Sequence, residues 1–223
     1  MRGKISEIFE SMQGEGLYMG VRQIFVRFFG CNLACKFCDT PLYAFREYTP
    51  EELLERLKGH PGKFHSVSFT GGEPLLQKGF LKNIFALNHK RGSKNYLETN
   101  GTLPSALKEV IEGADIIAMD LKFPSSTGLK DYWGEHHAFL KIASQKDVFL
   151  KAVICKNTEE YDLKRALALI KDINEDIPLI LQPDGECDYA LLEEKLERFR
   201  DICLSEKIKA RLVPQMHKIL GVG

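Results

Sequence analysis

Three cysteines, Cys31, Cys35 and Cys38, fall within eight residues in the run Cys-Asn-Leu-Ala-Cys-Lys-Phe-Cys. Gly30 precedes them, and the β-rich stretch 24–29 leads up to it, so the thiols belong to a loop that leaves a strand. Three thiolates on one short loop can converge on a single inorganic centre. Their number matters, because a closed structural zinc site takes four ligands and a simple electron-transfer cluster takes four thiolates. The other cysteines, Cys155, Cys187 and Cys203, stand alone and form no second pair. An iron–sulfur cubane bound by three cysteines keeps one iron open, and an open iron is where a substrate or cofactor can chelate. The competing readings are a zinc ion with a distant His or Cys as its fourth ligand, and thiols that are merely buried.

The elements that must position this loop form a regular alternation. Stretches 24–29, 66–70, 95–99, 116–121, 148–154 and 178–182 read as strands, with a further short one near 211–213. Several are apolar almost throughout, as suits strands covered on both faces of a parallel sheet. Helical patterns lie between them, over 75–90, 104–112, 137–144 and 189–206. Thr49-Pro50-Glu51-Glu52 combines a cap, a proline at the first helical position and a capping-box glutamate, and Asn157-Thr158-Glu159-Glu160 repeats the cap-plus-glutamate pattern. The segment 123–135, containing the single tryptophan Trp133, reads as a long loop and a candidate lid. Repeated βαβ units predict an α/β fold with a mostly parallel sheet, a partial (β/α)6 barrel, since six units fall short of the eight that close a standard barrel. No linker divides the 223 residues, so one domain spans 1–223.

In such folds the ligand site lies beyond the carboxyl ends of the strands. At those ends stand the cysteine loop, then Thr70-Gly71-Gly72-Glu73-Pro74, Glu98-Thr99-Asn100-Gly101, Asp120-Leu121-Lys122 and Gln182-Pro183. Taken singly, Gly-Gly-x-Pro is a turn, and Glu98, Asn100, Lys122 or Gln182 could cap a helix. Together, glycines and polar groups mark one end of successive strands. The 31 basic and 31 acidic residues cancel, which favours a small-molecule substrate or a protein partner over nucleic acid. The N-terminus has no secretory apolar core and no stretch reaches the roughly 20 apolar residues of a membrane helix. Scattered cysteines outside the loop argue against a disulfide framework, so a cytoplasmic location is expected.

The Cys-x3-Cys-x2-Cys spacing, with the aromatic Phe37 before the last cysteine and Gly71-Gly72-Glu73-Pro74 after the next strand, resembles the radical S-adenosylmethionine (SAM) superfamily. Within it, Gln13-Gly14-Glu15-Gly16, Phe25-Val26-Arg27, Cys38-Asp39-Thr40 and the C-terminal Gln215-Met216-His217-Lys218 resemble the 7-carboxy-7-deazaguanine synthase family. The resemblance implies a barrel of the radical SAM type with an N-terminal hairpin, and a four-iron four-sulfur cluster on Cys31, Cys35 and Cys38 with SAM on its open iron. It implies ring contraction of 6-carboxytetrahydropterin to 7-carboxy-7-deazaguanine with loss of ammonia, in queuosine and 7-deazapurine biosynthesis. SAM is then expected against Phe37, Cys38, Asp39, Gly72 and Glu73, and against Asn100, Asp120, Leu121, Lys122 and Gln182. The pterin is expected against Met12, Gln13, Gly14, Glu15, Arg27, Thr70 and His217, and Mg2+ on the Thr40 hydroxyl. A flavodoxin-type electron donor and a homodimer are further implications. Asp120-Leu121-Lys122, where many relatives carry Ser-Pro-Lys, also occurs in glycyl-radical activating enzymes. An activase is therefore the alternative enzyme, although its usual cluster loop lacks the Cys-Asp-Thr ending and its chain the Gln-Gly-Glu-Gly start. A non-catalytic iron–sulfur or zinc module that recruits a protein is the alternative of another class.

Overall fold

The computed structural model describes residues 1–214 apart from 39, 41, 42 and 61. Its strands are β1 (Gly3–Met12), β2 (Arg22–Phe28), β3 (Arg46–Tyr48), β4 (Ser66–Gly71), β5 (Asn95–Thr99), β6 (Ile116–Asp120), β7 (Asp147–Ile154), β8 (Leu179–Pro183) and β9 (Ala210–Leu212). They form one sheet in the order β3-β1-β2-β4-β5-β6-β7-β8-β9. From β2 to β9 every neighbouring pair is parallel, whereas β1 runs antiparallel to both β2 and β3. The sheet is thus a parallel barrel segment, unclosed among the described residues, with the expected N-terminal hairpin at one edge. The short strand near 211–213 is present as β9, and β3 adds an edge strand that the sequence did not suggest.

Helices fill the crossovers: α1 (Pro50–Lys58), α2 (Lys78–Lys90), α3 (Pro104–Val110), α4 (Pro124–Thr127), α5 (Trp133–Ala143), α6 (Glu160–Ile173) and α7 (Glu193–Ser205). The capping box at α1 forms as its sequence dictates, with Glu52 N–H donating to Thr49 Oγ1 at 3.2 Å and Thr49 N–H to Glu52 Oε2 at 2.7 Å. The second cap differs. Thr158 Oγ1 accepts from Cys155 N–H at 2.7 Å and the helix starts two residues later behind Glu159, because the hydroxyl closes the turn after β7 instead. The segment 123–135 is not a plain loop. It folds into α4 and the first turn of α5, and Trp133 is buried against Phe123 at 5.7 Å between ring centres, so burial of the indole starts that helix four residues before the expected 137.

Period-two alternation gives each strand an outer face, buried under the helices, and an inner face. The outer face and helices hold the main core, including Val67, Leu97, Ile117, Leu150 and Leu181. The inner face is graded along the strands. Near their amino ends Tyr96, Ile116, Ala118, Phe149 and Ile180 form a small apolar cluster, onto which Leu17 and Tyr18 of the β1–β2 connection pack. Two or more residues further on, the same face presents Thr70, Glu98, Asp120, Lys151 and Gln182. The connection crosses the interior close to this cluster. A Cβ on Gly16, whose φ is +68°, would lie 2.7 Å from the Phe149 ring, so glycine is required there by both conformation and space.

Candidate active site

Above the apolar plug lies a cavity of about 500 Å3. Its ceiling is the cluster loop, its walls are the carboxyl ends of the strands, and its floor is Met12 to Glu15. Cys31, Cys35 and Cys38 all line it, with Phe37 and Thr40. The loop is pinned from several sides: Cys38 N–H donates to Cys35 O at 3.1 Å and Lys36 N–H to Thr127 O at 3.1 Å. Asn100 Nδ2 donates to Asn32 Oδ1 at 2.9 Å and lies 3.9 Å from Cys31 Sγ. Partial burial lifts the Cys35 thiol above its ordinary value, with Lys122 offsetting part of the rise. The positive charge of bound iron would favour the Cys35 thiolate against that burial. Among the described residues no three His, Cys, Asp or Glu side chains are grouped to hold one metal ion. A cubane's three cysteines bind three different irons, so three thiols around one cavity fit a cluster rather than a single zinc.

The glycine pair after β4 has a role that the motif alone did not disclose. Gly71 has φ +113°, and a Cβ on Gly72 would lie 1.9 Å from Gly30 O. Gly72 N–H donates to Phe28 O at 3.0 Å and Glu73 N–H to Gly30 O at 2.8 Å, so the pair clamps the root of the cysteine loop as well as lining the cavity. Glu73 itself does not line the cavity. It is fully buried, accepting from Asn100 N–H at 2.8 Å, Thr99 Oγ1 at 2.9 Å and Leu75 N–H at 3.1 Å, and burial pushes its carboxyl up to about 7 against the pull of those donors. Its place is behind the wall, where its carboxylate holds the turn after β5 to the turn after β4. The Leu121 side chain is in the core, because the residue after Asp120 turns to the outer face.

The remaining expected contacts that fall on described residues, Asn100, Asp120, Lys122, Gln182, Met12, Gln13, Gly14, Glu15, Arg27 and Thr70, share this one cavity. Asp39 and His217 lie outside the described residues. Gln182 is buried, and its Oε1 has no hydrogen-bond partner among the described residues, an acceptor fit for a ligand's donor. Arg27 is tied by Nε to Glu7 at 2.7 Å and stacks on Phe9, so the ion-pair reading and the ligand reading share one guanidinium, whose fork has donors beyond the one engaged.

Two residues that the sequence reading underrated dominate the electrostatics. Glu98 accepts from Gln13 Nε2 and Ser68 Oγ at 2.9 Å each and from Thr70 Oγ1 at 3.0 Å, joining three elements. Lys151 lies between Glu15 and Asp120, 3.3 Å from the latter, while Lys122 Nζ binds the other oxygen of Asp120 at 2.7 Å. Burial alone would raise the Asp120 carboxyl, but Lys122 and Lys151 outweigh it and hold it below the usual range. Burial would lower Lys151, and Asp120, Glu15 and Glu98 instead hold it well above its ordinary value. The signal for Lys151 was a charge inside the otherwise apolar run Val-Phe-Leu-Lys-Ala-Val-Ile. Asp184, also on the cavity, comes just after β8 and carried no signal of its own.

The radical SAM superfamily model matches residues 25–153, more than half the chain. A protein of Geobacter sulfurreducens named 7-carboxy-7-deazaguanine synthase is 37% identical, the alignment covering 98% of this chain and 97% of that one. A protein of the same name from Archaeoglobus fulgidus is 36% identical over 100% of both chains. Among solved structures, QueE from Escherichia coli superposes with a TM-score of 0.67 at 19% identity, covering 95% of this chain and 93% of that one, a likeness of fold. With the cluster loop, the glycine clamp and the Gln13-Gly14-Glu15 floor gathered on one cavity, and with two full-length relatives above one-third identity, the chain belongs to the 7-carboxy-7-deazaguanine synthase family of the radical SAM superfamily.

Proposed function

We propose that the chain is a radical SAM lyase that contracts the ring of 6-carboxytetrahydropterin to 7-carboxy-7-deazaguanine with release of ammonia, on a route to queuosine and other 7-deazapurines. The observation that carries the reading is the single cavity in which three cysteine thiols face a floor and wall rich in acceptors. Cys31, Cys35 and Cys38 would hold a four-iron cluster whose open iron binds SAM, and the pair would supply the radical hydrogen-abstraction chemistry of the superfamily.

Every other part falls to the protein. Asn100, Asp120, Lys122 and Gln182, which line the cavity with Phe37 and Gly72, are the partners for the polar groups of SAM. Lys122 is fixed by Asp120 and lies 5.5 Å from the Phe37 ring centre. Arg27 is the donor for the substrate carboxylate, and Gln13, Glu15, Glu98 and Thr70 offer the mixed donors and acceptors that a pterin edge requires. The Thr40 hydroxyl is the protein ligand for Mg2+, a hard ion that keeps most of its shell as water and substrate oxygen. Cytoplasmic location, a flavodoxin-type electron donor and a homodimer complete the reading. A volume of about 500 Å3 suits a small molecule better than the protein loop a glycyl-radical activase must admit.

The test is anaerobic reconstitution with iron and sulfide, then incubation with SAM, reductant, Mg2+ and 6-carboxytetrahydropterin. Formation of the deazaguanine is the expected result. Appearance of 5'-deoxyadenosine with the pterin unconsumed would leave the superfamily chemistry standing and refute the substrate.

A further inference from the structure

We infer that Lys151 is a positioning residue that sets the cavity floor by holding Glu15 against β7; this rests on the reading of the cavity as the pterin site. Lys151 and Asp120 are directly paired positions of the β6–β7 ladder, and Leu121 N–H donates to Lys151 O at 2.7 Å, so the ammonium projects from rigid sheet. Glu15 stands on the β1–β2 connection, outside the sheet ladder, between Gly14 and Gly16. Its N–H donates to Gln13 Oε1 at 3.1 Å, and its carboxylate meets Lys151. The fixed partner is therefore the lysine and the adjustable one the glutamate.

The same ammonium lies 3.3 Å from Asp120, which Lys122 also binds. Removing the lysine thus leaves Asp120 with a cation and leaves Glu15 without the Lys151 ammonium. The loss falls on the floor that receives the substrate, not on the wall that receives SAM.

The reconstituted holoenzyme is compared with Lys151→Met, Glu15→Gln and the double variant, measuring KM and kcat for 6-carboxytetrahydropterin, SAM affinity from the cluster's electron paramagnetic resonance, and amide exchange. Lys151→Met and Glu15→Gln are each expected to raise KM by roughly tenfold or more with SAM affinity within about twofold, and the double variant to be no worse than the poorer single one. Amides of residues 13–18 exchange faster in Lys151→Met. An unchanged KM, a SAM affinity that falls in step with KM, or additive losses in the double variant would overturn the assignment. Should Lys151→Met not fold, Lys151→Gln takes its place and is judged by the same KM, SAM-affinity and exchange criteria. Should the wild type leave the pterin unconsumed, the substrate reading falls, and the exchange of residues 13–18 still decides whether the lysine holds the floor.

Discussion

Replacing Gly72 by alanine adds one methyl group where the structure has no room for it. The new Cβ would stand 1.9 Å from Gly30 O and 2.4 Å from Gly30 C, both backbone atoms that cannot rotate away. The turn after β4 must part from the root of the cluster loop by about 1 Å before the contact is tolerable. That separation strains two backbone bonds, Gly72 N–H to Phe28 O and Glu73 N–H to Gly30 O. Two such bonds contribute roughly 1 kcal/mol each net, and overpacking adds about 1–3 kcal/mol, giving a loss of about 3–5 kcal/mol. For a chain of this size the melting temperature should fall on the order of 10 °C. Because Gly30 adjoins Cys31, the variant should also take up less iron per chain on reconstitution. The control is Gly134→Ala, at an exposed position of α5 with nothing within 4 Å of its added Cβ, which should leave stability unchanged or slightly raised. Calorimetry and iron analysis check both. A Gly72→Ala protein that melts within about 2 °C of wild type with full iron content would refute the clamp.

Glu73 gives a pH signature. Its folded carboxyl titrates near 7 against an ordinary 4.5, so between these values the unfolded chain releases a proton that the folded one keeps. Apoprotein stability contributed by this group is full below about pH 4.5 and is lost as pH rises to 7, by roughly 3 kcal/mol; urea titrations across that window should show the slope, and Glu73→Gln should lack it. Glu98→Gln places an amide where three donors converge and should cost about 1–3 kcal/mol in substrate binding, read as a raised KM with 5'-deoxyadenosine formation in the absence of pterin retained. Chelating the iron should abolish SAM binding and leave the far-ultraviolet circular dichroism intact, because Cys31, Cys35 and Cys38 lie outside both apolar clusters. Thr158→Ala removes the acceptor for Cys155 N–H at 2.7 Å and the buried partner of Ser126, and should cost about 1–3 kcal/mol in denaturant unfolding.

Local sequence determined the strand-helix alternation, the α1 capping box and the ligand type. Strand hydrophobicity, cap chemistry and cysteine spacing are properties of a few neighbouring residues, and burial only confirms them. The carboxyl ends of parallel strands then had to gather, which is why most expected site residues reach one cavity. What depended on contacts between distant segments was not legible. That Glu73 points into the wall depends on Thr99 and Asn100 at the end of another strand, while Trp133 starting a helix against Phe123 and Thr158 closing a turn onto Cys155 are nearer contacts that no periodicity or cap pattern signals. Lys151 shows the difference most sharply: as sequence it is one odd charge inside an otherwise apolar run, and only pairing with Asp120 across the ladder and with Glu15 across the barrel turns a costly buried ammonium into a fixed point of the site.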